Sequence, residues 1–317
     1  MTGITLRSLD PKKDMPVLAE WFTILERQVN TVPGLLKYYE ENNGNLFSQV
    51  ADNPQGELVG FYWGSRNRFH PQKAFQYLFV DPPFRNNGLG SRLYQLMEDD
   101  LTKAGCREFS CYVPDDCLEG LNFMLHRGFN QSLHSISMEL DLVNFDDEPY
   151  QAAIDALENR GFQFTTMAKL GNTEDAQRKL YVLNDTTVMD TPLWRGGHCW
   201  ETFEEFKKSV CDEPWYIPDG QNVVIDTTTG EWVGMSAITR FEGDKTAYNL
   251  FTGVDKRYRG RKIAQAVKVK ALRFARDVLK VPGVRTNHNA SNDPMIAIDR
   301  KLGYKVTPGY FAMEKTL

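Results

Sequence analysis

Strand-like and helix-like hydrophobic patterns alternate along the first half of the chain. Residues 4–9 alternate apolar and polar side chains, whereas apolar side chains recur at helical spacing through residues 14–27. Alternating runs at 46–50 and 58–63 flank the turn signal Asn53-Pro54-Gln55-Gly56 and predict an antiparallel hairpin. The pattern then predicts a strand at 74–80, a helix at 89–104, a strand at 109–113, a helix at 118–126 and a strand at 135–142.

The second half of the chain shows the same order of patterns. A leading amphipathic helix is predicted at 150–159, and it is followed by a strand at 162–170 and a helix at 173–184. The remaining predicted elements are a hairpin at 223–226 and 232–239, a strand at 248–254, and a helix whose apolar side is formed by Ile263, Val267, Ala271, Phe274 and Val278.

The sequence itself repeats at a fixed offset of 174 residues. The segment from Gly56 to Gly60 recurs from Gly230 to Gly234, and Val80-Asp81 recurs as Val254-Asp255. Solenoid units are about 20 to 50 residues long, so this repeat is too large to be one and indicates two copies of a whole domain. We therefore predict an N-terminal domain at 1–143, a linker and leading helix at 144–160, and a C-terminal domain at 161–317.

Composition restricts the classes of function. The 317 residues suit two globular domains, with 41% apolar and 25% charged residues. A formal net charge of −5 argues against a general nucleic-acid binder. There is no apolar run of about 18 residues and no signal-peptide pattern, so a cytoplasmic protein without membrane partners is expected.

The five cysteines do not predict a metal site. They are odd in number and lie at none of the usual zinc spacings, so reduced packing thiols are expected. His198-Cys199 with Cys211 is the one arrangement that suggests a metal, and it lacks a fourth ligand nearby.

Arg85-Asn86-Asn87-Gly88-Leu89-Gly90 lies between a predicted strand and a predicted helix. Small residues there allow backbone amides at the helix start to converge on an anion, and the helix dipole adds partial positive charge. The loop matches neither a Walker loop nor the dinucleotide fingerprint, so a nucleotide-dependent kinase or ATPase is set aside. Taken alone, one such loop is more often an ordinary strand-to-helix turn than an anion site.

Together the motifs resemble the GCN5-related N-acetyltransferase (GNAT) family. In the first copy the resemblance is carried by Val80, Arg85-x-x-Gly88-x-Gly90 and Gly128-Phe129. In the second copy it is carried by Thr252-Gly253-Val254, Arg259 to Ala264, Asn289-x-x-Asn292-x-x-Met295 and Leu302-Gly303-Tyr304. The duplication is similar to the two-domain, mycothiol synthase-like members. The resemblance implies a mixed α/β fold of two tandem domains, each a mostly antiparallel twisted sheet flanked by helices.

The resemblance implies that each loop binds the pyrophosphate of acetyl-CoA and that the preceding strand pairs with its pantetheine arm. Lys262 replaces the middle glycine of the second loop, where its side chain either pairs with phosphate or points to water. Asn289 and Asn292 have an alternative role as helix caps. The implied cofactor-binding residues are Phe79, Val80, Arg85, Asn86, Asn87, Gly88, Leu89, Gly90, Ser91, Thr252, Gly253, Val254, Arg259, Gly260, Arg261, Lys262, Ile263, Ala264, Asn289 and Asn292.

No general base is evident in either copy. Many family members use a glutamate before the loop and a tyrosine in the last helix, and the corresponding residues here are Gln76 and Met124 in copy one, and Leu250 and Asp299 in copy two. Asp299 is a weak catalytic candidate, with a solvent-facing or capping carboxylate as the alternative.

The expected function is acetyl-CoA-dependent transfer of an acetyl group to the amine of a small molecule, by direct attack on the thioester. Chemistry is favoured in the second copy, which keeps the Thr252 strand and the Asn289/Asn292 helix. The alternative is a CoA-binding regulatory or degenerate protein without turnover in one or both copies. Trp194, Trp200, Trp215 and Tyr216 either line an acceptor pocket or pack as core. The sequence leaves the amine and the oligomeric state open.

Overall fold

The computed structural model of the chain describes residues 3–189, 191 and 200–317. Trp194 and the His198-Cys199 pair singled out in the sequence lie outside the described residues. The chain divides into two compact units. The N-terminal unit comprises Met1–His134 with Pro308–Leu317, and the C-terminal unit comprises Ser135–Thr307.

In the N-terminal unit, helices cover both faces of the sheet. The face of α1 that carries Met15, Leu18 and Phe22 packs on one side, and the face of α3 that carries Leu93 and Met97 packs on the other. The helix α1 begins at Pro11 because the Asp10 side chain accepts a hydrogen bond from the Lys12 amide. The elements in order are β1 Thr5–Ser8, α1 Pro11–Glu26, α2 Val32–Glu41, β2 Leu46–Asp52, β3 Leu58–Arg66, β4 Lys73–Val80, α3 Leu89–Lys103, β5 Glu108–Pro114, α4 Leu118–Leu125 and β6 Asn130–Asp141.

The C-terminal unit has the same two-sided arrangement. Leu180 and Leu183 of α6 pack on one side, and Val267 and Leu272 of α8 pack on the other. The elements in order are α5 Gln151–Glu158, β7 Phe162–Thr166, α6 Glu174–Val188, α7 Phe203–Phe206, β8 Gln221–Asp226, β9 Trp232–Thr239, β10 Ala247–Val254, α8 Ile263–Asp277, β11 Gly283–Asn289, α9 Asp293–Lys301 and β12 Lys305–Thr316. A π-helical turn, Lys207–Cys211, continues α7.

Each unit contains a mostly antiparallel sheet. In the N-terminal unit the strand order is β1-β2-β3-β4-β5, and the Tyr310–Thr316 part of β12 then pairs with β5. In the C-terminal unit the Ser135–Asp141 part of β6 pairs with β11, and the order continues β10-β9-β8-β7. Only short stretches of β4 with β5 and of β10 with β11 are parallel among the described pairings. The mixed α/β fold of two tandem domains expected from the sequence is confirmed.

The larger part of the last strand of each copy belongs to the other unit: residues 135–141 of β6 to the C-terminal unit and residues 308–316 of β12 to the N-terminal unit. This differs from the expected division into 1–143 and 161–317. Met138 of β6 is fully buried in a core of C-terminal residues, and Met313 of β12 is fully buried in a core of N-terminal residues. Both copies end in a strand with the same alternating pattern, so the pattern alone does not specify which sheet edge each strand joins.

Two local predictions also change. The helix α2 was not predicted, although Thr31 caps it by accepting a hydrogen bond from the Gly34 amide. The strand expected at 162–170 ends at Thr166, because the chain then turns and the Leu170 amide donates back to the Thr166 carbonyl. In the part of the chain that the structure describes, no helix is long and apolar enough to cross a membrane.

Candidate functional site

The first glycine-containing loop has a fixed backbone frame. After β4 ends, the Arg85 Nε donates to the Val80 carbonyl at 2.9 Å, which ties the loop to the strand. Asn86 and Gly88 adopt the left-handed conformation, with φ of 60° and 81°, and α3 begins immediately afterwards. The unpaired amides of the first helical turn are thus presented at an exposed loop, which is the geometry that binds anions.

The second loop has the same frame with different residues. Arg259 Nε donates to the Val254 carbonyl at 3.0 Å, and Gly260 and Lys262 adopt φ of 77° and 66° before α8 begins. Glycine therefore occupies the first left-handed position here and the second in the other loop. Lys262 keeps the backbone conformation of a glycine, so its amide stays in place while its side chain is exposed.

The N-terminal unit has an open cleft where β4 and β5 separate. The two strands pair only from Lys73 to Phe75 and then diverge toward the loop. A cavity of about 450 Å³ lies between them. Its lining includes the loop residues Arg85, Asn86, Gly88, Gly90 and Ser91, the strand residues Gln76, Leu78, Phe79, Val80, Cys111 and Val113, and the helix residues Tyr94, Met97, Phe123 and Met124.

Several ionisable groups around this cleft are already engaged. Arg27 is paired with Asp116, and Arg85 lies 3.9 Å from Glu119. The Tyr94 hydroxyl donates to a glutamate on its own helix. Burial raises the pKa of the Cys111 thiol to about 12, so this group is neutral at ordinary pH.

Gln76 is a buried polar group of the cleft that is not engaged in this way. Its side chain is 2% exposed, and neither Oε1 nor Nε2 has a hydrogen-bond partner among the described residues. The residue was noted in the sequence only as a group that is unable to act as a base.

The strands of the C-terminal unit diverge in the same way. β10 pairs with β11 only at Ala247 and Tyr248, and the Thr286 hydroxyl then donates to the Asn249 carbonyl at 3.0 Å. A bulge at Leu250 shifts the register of β10 against β9.

Because of this bulge, the residue that corresponds to Gln76 is Asn249 and not Leu250, as the offset of 174 residues had indicated. Gln76 lies opposite Gly64, and Asn249 lies opposite the repeat-related Ile238. The Asn249 side chain is fully engaged: its Nδ2 donates to the Ala237 carbonyl at 2.7 Å, and its Oδ1 accepts from the Thr252 hydroxyl at 3.3 Å.

A buried charged network lies beside the divergence in the C-terminal unit. Asp299 of α9 accepts a hydrogen bond from Lys268 of α8 through Oδ1, and its Oδ2 lies 2.6 Å from Nε2 of His288 on β11. The side chains of Lys268 and Asp299 are 1% and 0% exposed, whereas His288 retains 9%. His288 is thus the member of the network that reaches the surface.

Burial shifts the pKa of Lys268 in this network and the pKa of a neighbouring tyrosine. Burial lowers the pKa of the Lys268 ammonium, against the opposing effect of Asp299. Burial and the nearby Asp299 raise the pKa of Tyr304, whose ring lies 4.9 Å from Lys268 Nζ. The expected alternative for Asp299, a solvent-facing or capping carboxylate, is wrong, because the side chain is completely buried and bonded to two other elements.

Sequence reasoning missed His288 and Lys268. His288 directly precedes Asn289, which the family motif includes, and that adjacency was the available signal. The sequence pattern placed Lys268 on a face of α8 outside its apolar register, and the structure shows instead that it is buried. The offset between the two copies is 174 residues up to α3 and α8 and becomes 175 at β5 and β11. The matching residues of the N-terminal cleft are therefore Tyr94 for Lys268, Val113 for His288 and Met124 for Asp299.

The remaining predicted residues have more ordinary surroundings. Asn289 Oδ1 accepts from the Ser291 amide at 3.0 Å, and Asn292 precedes α9 without a side-chain capping bond. Phe79 stacks on Trp21 with ring centroids 4.8 Å apart. Ser91 Oγ accepts from Arg127 at 2.7 Å.

The other predicted cofactor-binding residues differ in burial. Leu89, Val254 and Ile263 are buried, and Gly90, Thr252, Gly253 and Ala264 are partly buried. Asn87, Arg259 and Arg261 are exposed.

Three of the four aromatic residues proposed for an acceptor pocket are described, and all three pack within the C-terminal unit. Trp200 lies edge-on to Phe206 at 5.1 Å, and the Tyr216 hydroxyl donates to Asn172 at 2.9 Å. Trp215 packs against the cluster that includes Tyr216.

Two family models match the chain in tandem. The acetyltransferase (GNAT) family model matches residues 15–129, and an acetyltransferase (GNAT) domain model matches residues 167–305. The chain belongs to the GNAT acetyltransferase family. The matches contain both loops and both diverging strand pairs, so the resemblance stated from the motifs is confirmed.

Solved GNAT structures are similar over nearly the whole chain. A GCN5-related N-acetyltransferase from Sphaerobacter thermophilus has a TM-score of 0.73 at 19% identity, over 99% of this chain and 95% of that one. A tandem GNAT protein from the clavulanic acid biosynthesis pathway has a TM-score of 0.70 at 16% identity, over 99% and 98% of the two chains. At such identities the likeness shows the tandem GNAT fold. No curated protein sequence is a significant match to the chain.

Proposed function

We propose that this GNAT protein transfers the acetyl group of acetyl-CoA to the amine of a small molecule, with the chemistry in the C-terminal unit. The observation that carries this assignment is the hydrogen-bonded pair of His288 and Asp299 beside the diverging strands β10 and β11. The matching positions of the N-terminal cleft hold Val113 and Met124, which are unable to accept a proton.

The residues of both loops fit a CoA phosphate group. Each loop has two left-handed residues followed directly by a helix start, so that amides and the helix dipole favour a bound anion. Lys262 adds a cation to the second loop. Acetyl-CoA supplies an activated thioester, and the diverging strands leave backbone groups of β10 unpaired with β11 at the place where the pantetheine arm is expected to lie.

His288 is proposed as the group that takes the proton of the attacking amine. In the tautomer in which Nε2 of the imidazole donates to Asp299, Nδ1 carries a lone pair that can receive a proton. As the C–N bond forms and the C–S bond breaks, a proton from the amine passes to His288, and CoA leaves as the thiolate. Asp299 stabilises the imidazolium, and Lys268 orients Asp299 by donating a hydrogen bond to it.

The N-terminal unit is proposed to bind CoA without turnover. Its loop is complete, but Gln76, Val113 and Met124 provide no proton acceptor at the cleft. For this copy, the assignment keeps the alternative stated from the sequence, a CoA-binding domain without turnover.

Calorimetric titration with acetyl-CoA tests the two loops separately. The matched variants Gly90→Asp and Ala264→Asp each place a carboxylate two residues after the second left-handed residue of the loop, where it repels a bound phosphate. We expect two sites in the parent and the loss of one site in each variant. Failure of the parent to bind acetyl-CoA would end the proposed function.

Turnover then assigns the chemistry to one unit. Release of CoA in the presence of a panel of small amines, followed by chromatography, is expected to persist in Gly90→Asp and to be lost in Ala264→Asp. His288→Gln is expected to lower kcat by about 100-fold or more with little change in acetyl-CoA affinity, since one proton-transfer group commonly contributes this much. Turnover that survives in Ala264→Asp and disappears in Gly90→Asp would assign the chemistry to the N-terminal unit instead.

A further inference from the structure

One face of the N-terminal sheet carries a continuous row of aromatic side chains. The row extends from β4 across β5 to β12, with neighbouring ring centroids 4.6 to 5.0 Å apart. We call this row the aromatic strip, and its members are Phe75, Tyr77, Tyr112 and Tyr310. Tyr112 is 53% exposed, so about half of its surface is open to solvent. Contiguous exposed apolar surface bordered by polar groups commonly marks a binding site.

The fold does not require the aromatic strip. By strand register, Tyr112 and Tyr310 correspond to Asn287 and Ser135 in the C-terminal unit. The equivalent pair of strands is therefore built there with smaller polar side chains. Packing alone does not explain why the N-terminal unit places two tyrosines at these positions.

Glu314 places a negative charge beside the aromatic strip. It lies opposite Ser110 in the pairing of β12 with β5, so it shares the sheet face of Tyr112, which is two residues further along β5. Burial raises the pKa of Tyr112, and Glu314 is among the groups that raise it further. In the C-terminal unit the equivalent glutamate, Glu139, lies opposite Arg285. A carboxylate at this position thus faces an arginine in one unit and a serine in the other.

Glu26 provides a second negative charge at the Tyr77 end of the aromatic strip. The Tyr77 hydroxyl donates to its Oε1, and the Asn30 side chain donates to its Oε2 at 2.8 Å. Each oxygen of Glu26 therefore already accepts a hydrogen bond, while its charge remains. Two neighbouring ion pairs add no net charge, and they are Lys73 with Glu108 and Arg27 with Asp116.

We propose that the aromatic strip binds an organic cation with apolar substituents, of which a quaternary ammonium ion is the simplest kind. The faces of aromatic rings attract such a cation, and the charges of Glu26 and Glu314 add to the attraction. A quaternary ammonium ion has no N–H donor, so it needs no acceptor from Glu26, whose oxygens are both engaged. It also has no N–H proton to lose. This ligand is therefore distinct from the acceptor of the proposed reaction, and the site does not depend on that reaction.

Choline is the probe for this site, and its binding to the full chain is measured by ligand-observed NMR titration without acetyl-CoA. One matched control is its neutral isostere, in which a tert-butyl group replaces the trimethylammonium group. The other is ethanolamine, whose primary ammonium carries three N–H donors. Methyl protons above an aromatic ring shift upfield, so the same titration reports affinity and contact with a ring.

Four variants test the residues of the site. Tyr112→Leu removes the ring and keeps an apolar side chain at an exposed position, whereas Tyr112→Phe keeps the ring and removes the hydroxyl. Glu314→Gln removes the charge beside the aromatic strip, and Glu139→Gln is the matched control in the C-terminal unit. Thermal unfolding is measured for each variant.

Choline is expected to bind about tenfold more tightly than its neutral isostere, and more tightly than ethanolamine. Tyr112→Leu is expected to weaken choline binding about fivefold and to reduce the upfield shift, while Tyr112→Phe stays within about twofold of the parent. Glu314→Gln is expected to weaken binding about threefold at low salt and less at high salt, because salt screens an exposed charge. Glu139→Gln is expected to have no effect.

Several outcomes would overturn the proposal. Equal affinity for choline and its neutral isostere would show that the aromatic strip is an apolar patch without preference for a cation. Tighter binding of ethanolamine, no binding of choline, or unchanged affinity in Tyr112→Leu would also contradict it. If Tyr112→Leu fails to fold, a loss of binding in Tyr112→Phe or an unchanged affinity in Glu314→Gln decides against the site. Titration of the parent with acetyl-CoA tests the proposed function separately.

Discussion

The diverging strands of the two units share one backbone arrangement, but the side chains beside them differ in polarity and charge. In both units a short parallel pairing opens into a divergence, and a loop with two left-handed residues follows the first strand. The N-terminal cleft is lined by Tyr94, Val113 and Met124, whereas the matching residues of the C-terminal unit are Lys268, His288 and Asp299. The backbone thus preserves a shape, and three side chains change its chemistry.

The difference between the two units also helps to explain why the charged network of Lys268, His288 and Asp299 is present. Replacing a buried ion pair with apolar residues is often neutral or stabilising, so a pair such as Lys268 and Asp299 is weak evidence of a contribution to stability. The N-terminal unit shows that the same fold is built with uncharged side chains at these positions. A role in catalysis therefore accounts for the network better than a role in folding.

The largest expected effect comes from breaking the network at one member. Asp299→Asn keeps the shape of the side chain but leaves the Lys268 ammonium buried without a counter-charge. Removing one partner of a buried pair typically costs about 3 to 5 kcal/mol, and a loss of that size in the free energy of unfolding of the C-terminal unit is expected. Urea unfolding followed by hydrogen exchange of peptides from β10 and β11 measures it.

The control for this prediction installs the interior of the other cleft. The triple variant Lys268→Tyr, His288→Val and Asp299→Met carries the N-terminal side chains, and it is expected to unfold near the parent midpoint while losing turnover. If the triple variant is as unstable as Asp299→Asn, the network is required for packing and the contrast between the clefts has a structural origin.

The next largest effect tests which strand belongs to which unit. Met313→Ala is expected to destabilise the N-terminal unit and Met138→Ala the C-terminal unit, each by about 2 to 5 kcal/mol, as for other large-to-small changes in a core. Hydrogen exchange of β4 peptides should respond to the first variant and that of β10 peptides to the second. A division of the chain into 1–143 and 161–317 predicts the reverse.

The strands, the long helices and the two loops were predicted well, because they depend on residues that are close together in the sequence. Alternation and helical spacing located nearly all the strands and long helices, and the repeat located both loops. What it could not give depends on distant pairing: the exchange of β6 and β12, and the bulge at Leu250 that places Asn249 in register with Gln76. Asp299 was a candidate, but its partners Lys268 and His288 lie 31 and 11 residues away and meet it only after folding.

A smaller effect is expected from exchanging the loop residues. Gly88→Lys places a side chain at φ of 81° and is expected to destabilise the N-terminal unit by about 1 kcal/mol. Lys262→Gly relieves the same strain, but glycine also loses more entropy on folding, so a gain of about half that size is expected.

Binding separates the two roles of Lys262. If its ammonium pairs with a CoA phosphate, Lys262→Gly weakens acetyl-CoA binding at the second loop by several-fold and makes that binding less dependent on salt. Unchanged affinity at low salt would show that the side chain points to water, and that the two loops bind the anion through the backbone alone.

The smallest expected effect is a change in chemical labelling, which reports occupancy of the first loop through the neighbouring Cys117. Cys117 is partly exposed at the N-terminal cleft, whereas burial raises the pKa of Cys111 to about 12. N-ethylmaleimide reacts with thiolates, so peptide mapping at neutral pH is expected to find Cys117 modified well before Cys111. Desulfo-CoA, which has no competing thiol, should slow labelling of Cys117 several-fold. This protection should persist in Ala264→Asp and disappear in Gly90→Asp, because only the first loop adjoins Cys117; equal protection in both variants would place the bound nucleotide elsewhere.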